Sequence, residues 1–229
     1  MKLSDLENKL EIEFKNEDLL KEALTHRSYL NEHPSWPHPH NERLEYLGDA
    51  VLELAVTEDL FKKFMKAAEG QLTVLRAALV NYQILSKIAL EMGLGRFILM
   101  SKSEMKDTGK AREVILANAL EALIGAVYID QGFKKTKDFI KRLITDDRIE
   151  EILETKSYKD PKSELQEIIQ EKLRITPSYR VRGESGPAQQ RIFRVGVYSN
   201  DDLIEEGSGS SKQEAETDAA RKALKHYKR

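Results

Sequence analysis

The chain has 229 residues, 40% of them hydrophobic and 33% charged, with a formal net charge of -2 and no cysteine. That composition excludes a fibre or an unstructured tail and suffices for one large core or two modest ones. The lack of cysteine excludes disulfides, thiolate metal sites and a cysteine nucleophile, and it fits a reducing compartment, so a cytoplasmic location is expected.

The N-terminal stretch MKLSDLENKLEIEF mixes charged and apolar residues without the continuous apolar run that an export signal or a membrane span requires, so no membrane partner is expected. Apolar residues then recur at spacings of three and four as far as residue 155. This predicts an all-helical domain over 1–155 with helices near 17–24, 41–66, 71–91, 111–131 and 134–153. Gly70, Gly93, Gly95, Gly109 and Gly132 mark ends or turns, and HPSWPHPH at 33–40 is too proline-rich to be helix throughout. Around 156–161 the chain turns polar and reaches a proline, which suits a hinge. Residues 156–229 then read as helix (162–173), three strands (near 177–184, 190–198 and 202–207) and helix (211–227). Three short strands need cover, so the two helices are expected on one side of an antiparallel sheet, an α+β domain of αβββα order. The small net charge hides an asymmetry: residues 1–155 carry 22 Lys+Arg against 27 Asp+Glu, and residues 156–229 carry 15 against 12. An acidic domain precedes a basic one.

The segment NERLEYLGDAVLE carries the strongest chemical pattern. With about 100° per residue of α-helix, Glu42, Glu45, Asp49 and Glu53 fall within roughly 80° of one another. Leu44, Leu47, Val51 and Leu54 fall on the other side and are expected to form the core face. Arg43 lies well away from the carboxylates and cannot neutralise them. Carboxylates at this spacing repel, so the face is either simply solvated or holds a cation, and hard oxygen ligands favour Mg²⁺ or Mn²⁺. A second helix, EVILANALEALIGAVYID, sets Asn118 and Glu121 three residues apart beside the small Ala122 and Gly125. Glu121 inside such an apolar run must be paired, ligated or at the surface. Packed against Glu45 and Asp49, it becomes the further ligand that a metal site needs. His33, His38 and His40 read as surface loop histidines, His26 as structural, and Ser28 has no visible base to activate it.

These residues resemble the bacterial ribonuclease III family, whose signature is close to NERLEYLGD. LTHRSYLNE, EGQLTVLRAALV and ALEALIGAVYID match its other blocks in order, and the basic C-terminal part, ending in GSGSSKQEAETDAARKAL, resembles a double-stranded RNA-binding domain. The resemblance implies an all-helical endonuclease domain that forms a symmetric homodimer, each subunit cutting one strand of double-stranded RNA. Glu45, Asp49 and Glu121 align with direct metal ligands. Asn118 stands where the family usually has a ligating aspartate, and Glu42 aligns with an acidic residue that supports the site. Tyr46 takes the place of an aromatic that plugs into the partner subunit. The implied chemistry is Mg²⁺-dependent hydrolysis, with Mn²⁺ as a substitute, giving 5′-phosphate and 3′-hydroxyl ends with short 3′ overhangs, in processing of ribosomal and other structured RNA.

In the second domain Gln166 and Glu167 would face a minor groove, and Ser211 and Lys212, at the start of the last helix, would meet phosphate. Gly207 and Gly209 would let the preceding turn approach closely. Gln189 stands where the family often has a histidine that reaches the minor groove, and Gln213 replaces a usual lysine, so this domain is expected to bind less tightly and with less salt dependence than a typical member. A protein of the same architecture that holds structured RNA without cutting it is the alternative reading, which the neutral Asn118 makes relevant.

Overall fold

The computed structural model describes residues 2–144, 146–155, 160–187 and 191–227. The chain forms two compact units, Met1–Thr155 and Lys156–Arg229. The first is all-helical apart from an isolated bridge between Thr25 and Leu99. Its elements are α1 (Leu3–Leu10), α2 (Glu17–Ala23), α3 (Arg27–Glu32), α4 (Glu42–Lys63), α5 (Glu69–Leu79), α6 (Tyr82–Glu91), a 3-10 turn (Leu94–Arg96), α7 (Lys102–Lys106), α8 (Lys110–Leu143) and α9 (Asp146–Thr155).

Two boundaries differ from the sequence expectation, each for a local reason. The single helix expected over 71–91 is two, because Asn81 ends one and starts the next. Its Nδ2 donates to the carbonyls of Ala77 and Ala78, while its Oδ1 accepts the N–H of Ile84, so one side chain satisfies orphan groups of both helix ends. The break expected between 131 and 134 is present as a kink inside α8 at Gly132, whose φ of 77° and ψ of 171° leave the helical region. The helix resumes only to Leu143, and residues of the expected 134–153 helix beyond it belong to α9.

α4 and α8 form the centre of the first unit, and they touch through backbone. A Cβ on Gly48 would overlap the carbonyl oxygen of Glu121 and lie 2.9 Å from the Gly125 nitrogen; one on Gly125 would overlap the carbonyl oxygen of Leu44 and lie 3.1 Å from the Gly48 nitrogen. Around this contact Leu44, Val51, Leu52, Ala55, Val56 and Leu60 of α4 are buried against a stretch of α8 that is buried almost without interruption. The core face of α4 is therefore centred on Gly48. The expected face, with Leu47 and Leu54 in it, is corrected: Leu54 is 57% exposed. The physical reason is the glycine, since the side of α4 that can approach α8 most closely wins the packing even though its central residue carries no apolar side chain.

The second unit has the expected αβββα order: α10 (Pro161–Leu173), β1 (Ser178–Ser185), β2 (Ile192–Ser199), β3 (Asp202–Gly209) and α11 (Lys212–Tyr227), with an antiparallel sheet ordered β1-β2-β3. Its core joins Leu165 and Ile169 of α10, Val197 of β2 and Ala219, Ala220, Ala223 and Leu224 of α11, so both helices share one side of the sheet. Gly207 lies in β3, within the strand expected near 202–207, and that strand runs on to Gly209, so the close approach expected of a turn at these glycines is made by the strand itself. A Cβ on Gly207 would overlap the Ala219 nitrogen and the Ala215 oxygen, so bare backbone lets β3 lie flush against α11. Among the described residues no helix is long and apolar enough to cross a membrane.

The α4–α8 contact has a direct test. Gly48→Ala should lower unfolding stability by about 3 kcal/mol, because the added methyl must push two packed backbones apart. Urea unfolding reads this, and an unchanged midpoint would show that the helices can separate freely at this point.

Candidate active site

The start of α4 is fixed by Asn41, which is buried. Its N–H donates to the Thr25 carbonyl at 2.9 Å and its Nδ2 to the Ala23 carbonyl at 3.2 Å. Glu42 and Glu45 follow in the first turn, where the helix dipole favours negative charge. Because the packing face is centred on Gly48, the acidic stripe lies beside the α8 contact and not opposite it. Glu45 is consequently half-buried.

From α8 come Asn118 and Glu121. Between Ile115 and Val127 every residue of this helix is buried except these two, which are intermediate. The pair therefore forms a polar window in an apolar helix, and the window opens onto the stripe of α4. Burial, then the charges of Asp49 and Glu45, push the Glu121 carboxyl up to about 8. Burial, Glu42 and Asp49 raise the Glu45 carboxyl, while the side-chain amide of Asn118 hydrogen-bonds it and works the other way. Among the described residues no basic side chain contributes to either shift.

The structure thus brings Glu45, Asp49, Asn118 and Glu121 together, with Glu42 at the edge. Glu42 accepts from Arg27 Nη1 at 3.0 Å and lies 3.8 Å from His40 Nδ1. Glu53, the fourth carboxylate of the stripe, is drawn towards Arg76 on α5 at 4.0 Å. As they stand, no group of three or more His, Asp or Glu side chains among the described residues is arranged to hold a metal ion. The donors share a neighbourhood without closing into a coordination shell. Arg27 and Arg76 were not singled out by sequence reading, since each meets its carboxylate from a different helix and no local spacing announces it.

Tyr46 is 82% exposed. Ser28 does have a histidine beside it, with Oγ 2.7 Å from His26 Nδ1, contrary to expectation. Both groups serve structure: His26 Nδ1 accepts the Ser28 N–H at the start of α3, and Ser28 Oγ accepts the Ser101 N–H. Burial holds the His26 imidazole below its usual range. In the second unit Gln166 and Glu167 are exposed on α10, and Lys212 is exposed in the first turn of α11. Ser211 Oγ accepts the Glu214 N–H at 3.1 Å, which leaves its hydroxyl proton free to donate outward. Gln189 lies outside the described residues.

Residues 16–148 match the Ribonuclease-III-like family, and residues 161–227 match the Double-stranded RNA binding motif. The chain belongs to the ribonuclease III family. Ribonuclease 3 of Carboxydothermus hydrogenoformans is 45% identical over 226 residues, covering 99% of this chain and 96% of that protein. Ribonuclease 3 of Nitratiruptor sp. is 41% identical over 226 residues, covering 99% and 97%. The solved nuclease domain of ribonuclease III from Campylobacter jejuni superposes with a TM-score of 0.57 at 50% identity, covering 62% of this chain and 96% of that one. This ribonuclease III family member is an endoribonuclease, and its window of carboxylates lies within the part of the chain that carries the nuclease match.

Glu121 makes stability depend on pH. Its folded carboxyl is raised to about 8, so between the ordinary carboxylate range and pH 8 the folded state holds a proton that the unfolded chain releases. With EDTA present, the protein should be most stable below that window and lose stability as pH rises through 8. Glu121→Gln should flatten the slope. Thermal midpoints across pH test this, and a slope that survives the substitution assigns the titration to another group.

Proposed function

We propose that this protein hydrolyses both strands of double-stranded RNA with divalent cations, Mg²⁺ or in its place Mn²⁺, held by Glu45, Asp49, Asn118 and Glu121. The observation that carries this reading is that Glu45 and Glu121 are half-buried beside Asp49 and Asn118 with no basic side chain among the described residues contributing to their electrostatics. Burying carboxylates without a counter-charge is costly, and a hard divalent ion is the partner that suits carboxylate and amide oxygens. The donor set fits the ion. Glu45, Asp49 and Glu121 would supply the charge, Asn118 a neutral oxygen or an orienting hydrogen bond to Glu45, and Glu42 a supporting negative charge at the edge. Bound there, a divalent ion supplies Lewis acidity, lowering the pKa of water and stabilising charge on the leaving 3′ oxygen. The products would carry 5′-phosphate and 3′-hydroxyl ends with short 3′ overhangs, and the setting would be cytoplasmic processing of ribosomal and other structured RNA.

The second unit would deliver the duplex. Gln166 and Glu167 on α10, together with Gln189, would read 2′-hydroxyls in a minor groove, while Ser211 and Lys212 would meet phosphate at the start of α11. This recognition is of shape, so RNA is selected for being A-form and double-stranded.

Two sites acting on two strands call for a homodimer. In the Campylobacter jejuni nuclease domain, a region is described as involved in dimer formation. On this chain Leu47, Leu54 and Phe61 recur every seven residues along α4, and Leu54 and Phe61 are exposed, as is Tyr46. Beside Tyr46 lies a cavity of about 620 Å³ lined by Leu19, Leu44, Leu47 and Ile129 among others, of a size to receive the partner's aromatic ring. Replacing Tyr46 with alanine should weaken association by about 2 kcal/mol, roughly thirtyfold in the dimer constant. Sedimentation equilibrium decides it, and an unaltered constant removes Tyr46 from the interface.

Cleavage itself is tested by incubating the purified chain with long duplex RNA, duplex DNA and single-stranded RNA, with Mg²⁺ or EDTA. Duplex RNA alone should be cut, and only with metal. Glu121→Gln should lose most cleavage while retaining duplex binding, and Asn118→Asp should reach half-maximal cleavage at lower Mg²⁺ because it adds a ligand charge. Duplex binding without any cutting at saturating Mg²⁺ would mean that the chain holds RNA and does not hydrolyse it.

A further inference from the structure

The acidic stripe of α4 has four members, and its electrostatics are uneven. The two end residues each meet an arginine from another helix. Glu42 accepts from Arg27 of α3 at 3.0 Å, and Glu53 lies 4.0 Å from Arg76 of α5. The two central residues, Glu45 and Asp49, have no basic side chain within 4 Å among the described residues, and neither does Glu121 across the helix contact. The arginine on α4 itself does not serve the stripe, since Arg43 acts on Glu22.

Neither arginine is placed by chance of a long side chain. Arg27 opens a helix that is tied down along its length: His26 caps it, Ser28 Oγ accepts the Ser101 N–H, and the Glu32 carboxylate accepts the Lys102 N–H at 3.3 Å. Arg76 is held by a second contact on α4, donating from Nη1 to Thr57 Oγ1 at 3.0 Å. The Arg76 guanidinium is therefore anchored by a group outside the stripe, and the Arg27 side chain springs from a helix whose own position is fixed.

We infer that Arg27 and Arg76 are positioning residues that bracket the stripe, engaging Glu42 and Glu53 so that the carboxylates left without a basic partner are Glu45, Asp49 and Glu121. This rests on the metal-dependent reading above. A divalent ion attracted to four open carboxylates along one helix face would have several sites of similar affinity, most of them away from Asn118 and Glu121. With the ends occupied, the deepest well lies at the α8 window. The brackets weaken total attraction and sharpen its location, so they favour a correctly seated ion over a tightly held one.

That trade gives a readout that a merely structural role would not move. In the RNA-free protein, Mn²⁺ binding followed by electron paramagnetic resonance should become tighter in Arg27→Gln and in Arg76→Gln, by about threefold at low ionic strength, and the gain should shrink as salt rises. Cleavage at saturating metal should fall in the same variants, while Arg27→Lys and Arg76→Lys should keep both Mn²⁺ affinity and cleavage near wild type. A variant that simply lost structure would bind Mn²⁺ more weakly. Unchanged or weaker Mn²⁺ binding in the glutamine variants, beside normal binding by wild type, overturns the bracketing role alone. Failure of the wild-type chain to bind Mn²⁺ overturns the metal reading and the inference that depends on it.

Discussion

The backbone contact between α4 and α8 at Gly48 and Gly125 is the constraint on which the rest of the first unit depends. Two helices ordinarily keep their axes 8–10 Å apart because side chains intervene. Here the carbonyl oxygens of Leu44 and Glu121 occupy the space where two Cβ atoms would otherwise stand. The same residues that present those carbonyls sit next to, or carry, the acidic side chains. Helix packing and site geometry are therefore one arrangement: bringing the backbones together necessarily brings Glu45 and Asp49 to Asn118 and Glu121.

The arrangement is electrostatically unfavourable in the absence of a partner, and the fold tolerates this in a graded way. Glu121 is the most deeply placed carboxyl of this group and is pushed up to about 8, by burial first and then by the charges of Asp49 and Glu45. Glu45 is also raised, but Asn118 relieves part of the effect. At the ends of the stripe Glu42 meets Arg27 at 3.0 Å and Glu53 lies 4.0 Å from Arg76. Apolar packing along the remainder of α4 and α8, from Leu44 to Leu60 and from Ile115 to Val127, supplies the stability against which this local cost is set. An asparagine at 118 fits that balance, because a fourth carboxylate there would repel the other three, whereas the amide gives Glu45 a hydrogen bond.

Much of this was legible in the sequence. The helical texture, the αβββα order of the second unit and the two acidic segments follow from spacing, because burial of one helix face or one sheet face imposes a period on the residues. The rotation of α4 was not legible: a wheel weighs Leu47 and Leu54 as core, and only the partner helix reveals that Gly48 is the point of closest approach. The break at Asn81 could have been read, since an asparagine three residues before the N–H it caps is a local signal. The pairings of Arg27 with Glu42 and Arg76 with Glu53 could not, because they join helices whose relative placement is a tertiary outcome. Resemblance to a family supplied expectations that spacing left open, above all a place for Tyr46 in a dimer.

If the helix contact at Gly48 and Gly125 builds the proposed divalent-cation site, anomalous diffraction from a crystal of the full chain grown with Mn²⁺ should show a manganese peak bonded to carboxylate oxygens of Glu45, Asp49 and Glu121, with Asn118 beside it. A manganese peak held by other residues, with these three carboxylates standing apart from it, would mean that the helix contact serves packing alone.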